Sequence, residues 1–201
     1  MNLPNKLTII RILMVPVFLF FGLFRFPGEY GEVISRLLAA FIFMAAALTD
    51  FADGKIARKY NLITNFGKFM DPLADKFLIF STILVFISSE MYHLSDALHI
   101  ALVISGAIVI FRELAVTSLR LVVMSSPNPV VIAASWYGKA KTFSQCIWAA
   151  TVMIEPVLMH FIGFWNIPVL TWSTTVMMTV LTVFSGVDYI KSYWSYLDPN
   201  Q

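Results

Sequence analysis

A chain of 201 residues that is 59% hydrophobic, with a mean hydropathy of +0.79, is far more apolar than a water-soluble domain, which runs at about 45 to 50%. Charged residues make up only 13% and the net charge is +2. The one cysteine, Cys146, lies inside an apolar run, so no disulfide or thiolate metal site is available, and no nucleic-acid partner is expected.

Apolar runs fall at about 7 to 24, 37 to 49, 77 to 89, 97 to 111 continuing towards 124, 143 to 163, and 167 to 187. They predict an all-α integral membrane protein of six transmembrane helices, since open strands would leave backbone groups unsatisfied in lipid. The first run follows Met1-Asn2-Leu3-Pro4-Asn5-Lys6 and has no small-residue cleavage site, so it is expected to stay as a membrane helix. The second and third runs are too short alone, because about 20 residues are needed to cross the hydrocarbon. Their helices must therefore continue through the charged segment that separates them.

That segment holds Asp50, Asp53, Gly54, Arg58, Gly67, Asp71 and Asp75. Each carboxylate at bilayer depth costs roughly 2.5 to 3.5 kcal/mol on insertion scales, so four of them require something cationic in their midst. Asp50 and Asp53 share one helical face, and Gly67, Asp71 and Asp75 step by four along a face of the next helix. A short turn between the two helices can bring these faces together. Their oxygens would suit two hard divalent ions, Mg²⁺ or Mn²⁺. Arg58 adds a planar fork for a phosphate, while Gly54, Ala57 and Gly67 either admit a ligand close to the backbone or simply pack helices.

The fourth run is broken at Ser125-Ser126-Pro127-Asn128-Pro129, and the loop to Gly138 has two readings, a cover over a substrate or a plain connection. Arg112, Arg120, Lys139 and Lys141 border this loop; Arg112 and Arg120 are eight apart and can line one face. Glu113 follows Arg112 but points about 100° away on a helix, which leaves an ion pair and an anionic ligand as competing readings. His93, His99 and His160 sit far from the aspartates without ligand spacing, and Asp188 and Tyr189 carry no assigned role. No repeat or long polar linker divides the chain, so residues 1–201 are expected to form one membrane domain.

Basic residues fall at alternate ends: Lys6 and Arg11, Lys55 to Lys76, Arg120 to Lys141, and Lys191. The positive-inside rule then puts both termini and the aspartates on the cytoplasmic side. Trp136 and Trp194 at one level, Trp165 and Trp172 at the other, fit interfacial belts.

The pattern Asp50-x-x-Asp53-Gly54-x-x-Ala57-Arg58, eight residues, Gly67-x-x-x-Asp71-x-x-x-Asp75 resembles, residue for residue, the signature of the CDP-alcohol phosphotransferase family. Supporting segments are Asn2-Leu3-Pro4-Asn5-Lys6-Leu7-Thr8 with Arg11 and Pro16, Arg112 to Arg120, and Gly138-Lys139-Ala140-Lys141-Thr142. The resemblance implies a homodimer with a cytoplasm-facing cavity in the bacterial plasma membrane, holding two divalent cations. It implies transfer of a phosphatidyl group from CDP-diacylglycerol to an alcohol with release of CMP. For the branch this chain resembles, the acceptor is sn-glycerol 3-phosphate. On these positions Asp50, Asp53, Asp71 and Asp75 would hold metal, and Asp75 would take the acceptor's proton. Gly54, Ala57, Arg58 and Gly67 would receive the cytidine diphosphate, and Arg112, Arg120, Lys139 and Lys141 the acceptor phosphate. Other acceptors remain open: inositol phosphate, serine or phosphatidylglycerol.

A divalent-cation transporter is the rival from another class, since intramembrane aspartates also mark ion pathways. It would need polar groups continuing beyond the aspartates, where the sequence gives Phe41-Ile42-Phe43-Met44-Ala45-Ala46-Ala47-Leu48 and Phe77-Leu78-Ile79-Phe80.

Overall fold

The structure, a computed structural model, describes residues 2–60, 64–125, 136–163 and 167–196. Among them every long element is helical: α1 (Leu3–Leu23), α2 (Gly31–Lys59), α3 (Asn65–Ser88), α4 (Asp96–Ser125), α5 (Trp136–Ile162) and α6 (Val169–Ser192), with short 3-10 turns at Glu90–Tyr92 and Trp194–Tyr196. As expected, α2 and α3 run on through the charged segment. Among the described residues five helices are long and apolar enough to cross a membrane: α1, α2 over Gly31–Asp50, α4, α5 and α6. The first half of α3 carries Lys68, Asp71, Asp75 and Lys76, and α3 is not among the five.

Side-chain chemistry sets where the helices begin. Asn2 caps α1 by accepting from the Asn5 N–H at 3.4 Å, and Pro4 takes a position whose N–H would be orphaned anyway. Thr64 caps α3, its hydroxyl accepting from the Gly67 N–H at 3.0 Å. At α6 the cap comes from another helix. The carboxylate of Glu155 on α5 accepts from the N–H groups of Leu170 at 2.9 Å and Thr171 at 2.6 Å.

Neighbouring helices close a ring in the order α1, α2, α5, α6, α4, α3 and back to α1. Small residues let them approach: a Cβ on Gly22 would lie 2.7 Å from Val85, and one on Gly106 2.6 Å from Ile83. The interior is aromatic and dry, with Phe18, Phe43, Phe86 and Trp148 buried, and the indole of Trp148 donates to Thr175 at 3.0 Å. The outward faces expose Leu13, Phe41, Phe111 and Phe184, the surface of an integral membrane protein.

The aspartate-bearing faces of α2 and α3 meet at Asp50 and Asp75. Elsewhere among the described residues these two helices touch little, and α1, which packs along both, is the element that joins them.

Candidate active site

The buried stripe of α1 begins with polar residues, Asn5, Thr8 and Arg11, before turning apolar at Val15 and Phe18. At bilayer depth such a stripe must be satisfied by the protein, and here α2 and α3 supply the partners. Arg11 is 0% exposed; its Nη1 lies 2.7 Å from Asp50 Oδ1 and 3.5 Å from Asp75 Oδ1. Asp50 and Asp75 are themselves within hydrogen-bond reach of one another. Asp71, one turn before Asp75, accepts instead from the Thr8 hydroxyl at 2.7 Å. The cation that four aspartates demanded is thus in part a guanidinium of the chain itself.

Gly67 is held in the same web. A Cβ there would come within 3.1 Å of Asn5 Oδ1, 3.3 Å of Thr64 Oγ1 and 3.8 Å of Asp71 Oδ2. The Thr64 hydroxyl also donates to Asn5 Oδ1 at 3.0 Å. Glycine at this position lets α1 lie against the start of α3, the packing alternative of its two readings. Gly54 lies on α2 one turn beyond Asp50. The side chains of Asp53, Ala57 and Arg58 lie outside the described residues, as does the loop from Ser126 to Ser135 that would cover a substrate.

Asp50 and Asp75 are 42% and 54% exposed, whereas Arg11, which pairs with both, is sealed. Among the described residues no three acidic, histidine or cysteine side chains lie close enough to hold a metal ion. The donor chemistry nevertheless fits a hard divalent cation. Asp50, Asp71 and Asp75 offer carboxylate oxygens, one guanidinium cannot neutralise all three, and their open oxygens leave room for water and phosphate.

Across the ring, α4, α5 and α6 assemble the reverse arrangement. Lys141 pairs with Glu113, and Arg112 Nη1 reaches the same carboxylate oxygen at 3.4 Å. Arg112 Nη2 donates to the Ser185 hydroxyl at 2.5 Å. Tyr189 forms a shelf for both arginines: the Arg112 and Arg120 guanidiniums lie 5.4 and 5.5 Å from its ring centre, and Arg120 donates to its hydroxyl at 2.9 Å. Lys139, a turn before Phe143, is exposed. The two sets face each other closely enough for Lys141 and Asp75 to attract.

Glu113 corrects the helical-wheel argument. The Cβ directions of residues 112 and 113 do diverge, but both side chains are long enough to meet, and Lys141 arrives from α5 to fix the carboxylate. Asn5, Thr8 and Arg11 entered the sequence reading only as part of the segments that support the resemblance, Tyr189 was left unassigned, and Ser185 was not singled out. The packing of α1 on α2 and α3, and of α4 on α6, gives them partners. His93, His99 and His160 sit at the opposite end of the bundle from the aspartates, as expected, with His93 Nε2 2.9 Å from Asp96.

The fold and this paired site define a membrane-embedded transferase of one recognisable class. A family model described as CDP-alcohol phosphatidyltransferase matches residues 1–187, and the chain belongs to that family. It is 35% identical over 202 residues to the CDP-diacylglycerol-glycerol-3-phosphate 3-phosphatidyltransferase of Bacillus subtilis (strain 168), covering 98% of this chain and 97% of that protein. Proteins of the same name are 33% identical in Rickettsia bellii (strain RML369-C), over 97% of both chains, and 31% identical in Shigella flexneri serotype 5b (strain 8401), over 95% of this chain and 94% of that one.

Proposed function

We propose that the chain transfers the phosphatidyl group of CDP-diacylglycerol to sn-glycerol 3-phosphate, giving phosphatidylglycerol phosphate and CMP. The observation that carries this reading is the pairing of two sites at one end of the bundle. A carboxylate set on α2 and α3 faces a cation set on α4, α5 and α6, within a chain whose full-length relatives bear the name of that reaction.

In the reaction the primary hydroxyl of the acceptor attacks the phosphorus that bears the diacylglycerol. The phosphoanhydride bond breaks, its electrons leave with CMP, and the hydroxyl proton passes to the Asp75 carboxylate. Arg11 holds Asp50 and Asp75 in place. Arg58, Gly54, Ala57 and Gly67 receive the nucleotide diphosphate, while Arg112, Arg120, Lys139 and Lys141 draw the acceptor phosphate to the opposite wall. Glu113 keeps Arg112 and Lys141 from repelling each other until the anion arrives. Two divalent ions, Mg²⁺ or Mn²⁺, held by Asp50, Asp53, Asp71 and Asp75, would neutralise the diphosphate and acidify the acceptor hydroxyl.

All six helices then span the bilayer as one domain, with both termini and the site on the cytoplasmic face of a bacterial plasma membrane, and the protein works as a homodimer. The basic residues at the aspartate end support that orientation, with Trp136 and Trp194 exposed at the same end and a half-buried Trp172 at the other; Trp165 lies outside the described residues. The transporter reading loses support because Ala46, Phe43 and Leu78 are buried beyond the aspartates, and neither α2 nor α3 carries another carboxylate at mid-depth.

Purified protein in micelles, given CDP-diacylglycerol and a panel of acceptors, should release CMP with glycerol 3-phosphate and not with serine, inositol phosphate or phosphatidylglycerol. Faster release with any of those three reassigns the acceptor.

A further inference from the structure

At the aspartate end α6 meets α4 through two buried polar groups one helical turn apart. Ser185, 0% exposed, accepts from Arg112, and Tyr189, 3% exposed, accepts from Arg120. Four residues apart on one helix, they present the same face. Tyr189 does more than accept one hydrogen bond. Both guanidiniums lie over its ring, at 5.4 Å from the centre for Arg112 and 5.5 Å for Arg120. A ring face is the negative side of the aromatic quadrupole, so it attracts two cations that are near enough to repel each other. Tyr193 stacks against Tyr189 with ring centres 6.3 Å apart and backs that ring.

The two arginines differ in what else they have. Arg112 is buried and also reaches Glu113. Arg120 is exposed, and the Tyr189 hydroxyl is what fixes it. An exposed arginine is ordinarily free to swing through many rotamers, and it gives up that freedom when it grips an anion. Here a buried ring and a buried hydroxyl have already removed the freedom, and the hydroxyl sets the plane of the guanidinium. A guanidinium carries five N–H donors and Tyr189 takes one, so an exposed fork is left for a phosphate.

We infer that Tyr189 is a positioning residue that sets the choice of acceptor: by holding Arg120 ready, it favours an alcohol that carries a phosphate over one that carries none. A site built around fixed donors rejects a ligand that would leave them unmatched. Tyr189 itself touches no reacting atom and acts through Arg120. The choice of acceptor rests on the reaction proposed above; the holding of Arg120 for a phosphate does not.

The test therefore has two arms. Tyr189→Phe keeps the ring and removes the hydroxyl. It should raise KM for glycerol 3-phosphate about tenfold, while kcat and KM for CDP-diacylglycerol stay within about twofold of wild type. Tyr189→Leu, which removes the ring as well, should raise the same KM further. Arg120→Ala should raise it by at least as much as Tyr189→Phe, and adding Tyr189→Phe to Arg120→Ala should change little, since the hydroxyl acts through that arginine. Full additivity, an unchanged KM for glycerol 3-phosphate, or an equal loss for both substrates overturns the inference. Arg120 is exposed, so Arg120→Ala decides even if a Tyr189 variant elutes as aggregate; an unchanged KM for glycerol 3-phosphate there overturns the inference too. The second arm needs no turnover. Inorganic phosphate titrated into metal-free wild type should raise Tm along a saturable curve, with apparent Kd about tenfold weaker in Tyr189→Phe and in Arg120→Ala. No effect on wild type, or an equal effect on all three proteins, overturns the inference. If wild type releases CMP with no phosphorylated acceptor, the proposed reaction fails, and the phosphate titration still decides whether Tyr189 holds Arg120 for a phosphate.

Discussion

At the end of the bundle away from the aspartates, buried charge is matched within the protein. Glu155, 1% exposed, is satisfied by the first turn of α6, where the helix dipole is positive. Buried Arg36 pairs with Glu32 at 2.7 Å and lies 5.2 Å from the ring of Tyr92, whose hydroxyl burial pushes up to about 12, so it stays protonated. The aspartate end sorts its charges by wall. Asp50 and Asp75 share one fully buried guanidinium while Asp71 turns to Thr8, and Arg112 and Lys141 share one carboxylate while Arg120 turns to Tyr189. A membrane protein tolerates buried charge either by closing the ledger, as the first end does, or by leaving a surplus that a ligand completes. A carboxylate set and a cation set at the same end of the bundle suit a phosphate ester and its metal ions.

Substitutions at the two ends should break along that line. Asp75→Asn keeps the shape and loses the proton acceptor, and turnover measured by CMP release should fall at least a hundredfold, the low end for a general base of about 10² to 10⁴. The variant should elute as folded protein, and retention of more than about a tenth of wild-type turnover would place the base elsewhere. Arg11→Gln leaves Asp50 and Asp75 to repel each other, and turnover should fall about ten- to a hundredfold, with Arg11→Lys recovering part of the loss. On the opposite wall, Arg112→Ala and Lys139→Ala should raise KM for glycerol 3-phosphate by a similar factor and spare KM for CDP-diacylglycerol, with Arg58→Ala biased the other way. The smallest effect on catalysis belongs to the balanced end. Glu155→Gln should lower Tm by several degrees, since it weakens two hydrogen bonds to a helix terminus, yet leave kcat within about twofold.

Much of the frame was legible because the bilayer imposes it. Two apolar runs too short to span forced α2 and α3 to continue through the charged segment, and they do so to Lys59 and from Asn65. The site was legible only in outline, since spacing fixes faces along one helix and says nothing about which helix lies opposite. Arg11 sits 39 positions before Asp50, and only the packing of α1 along both α2 and α3 brings them together. For Glu113 the Cβ direction left an ion pair and an anionic ligand in competition, because it ignores the reach of an arginine and the arrival of Lys141 from another helix. Glu155 carried the same signal as Arg11, an isolated charge in an apolar run, and turned out to serve α6.

The carboxylate set of α2 and α3 is the heart of the comparison, and cation dependence tests it most directly. Protein stripped of metal by chelation should release no CMP from CDP-diacylglycerol and glycerol 3-phosphate, and titration with Mg²⁺ or Mn²⁺ should restore turnover along a saturable curve. Full turnover in metal-free buffer would contradict the account, because Arg11 alone would then suffice to bring a diphosphate against Asp50, Asp71 and Asp75.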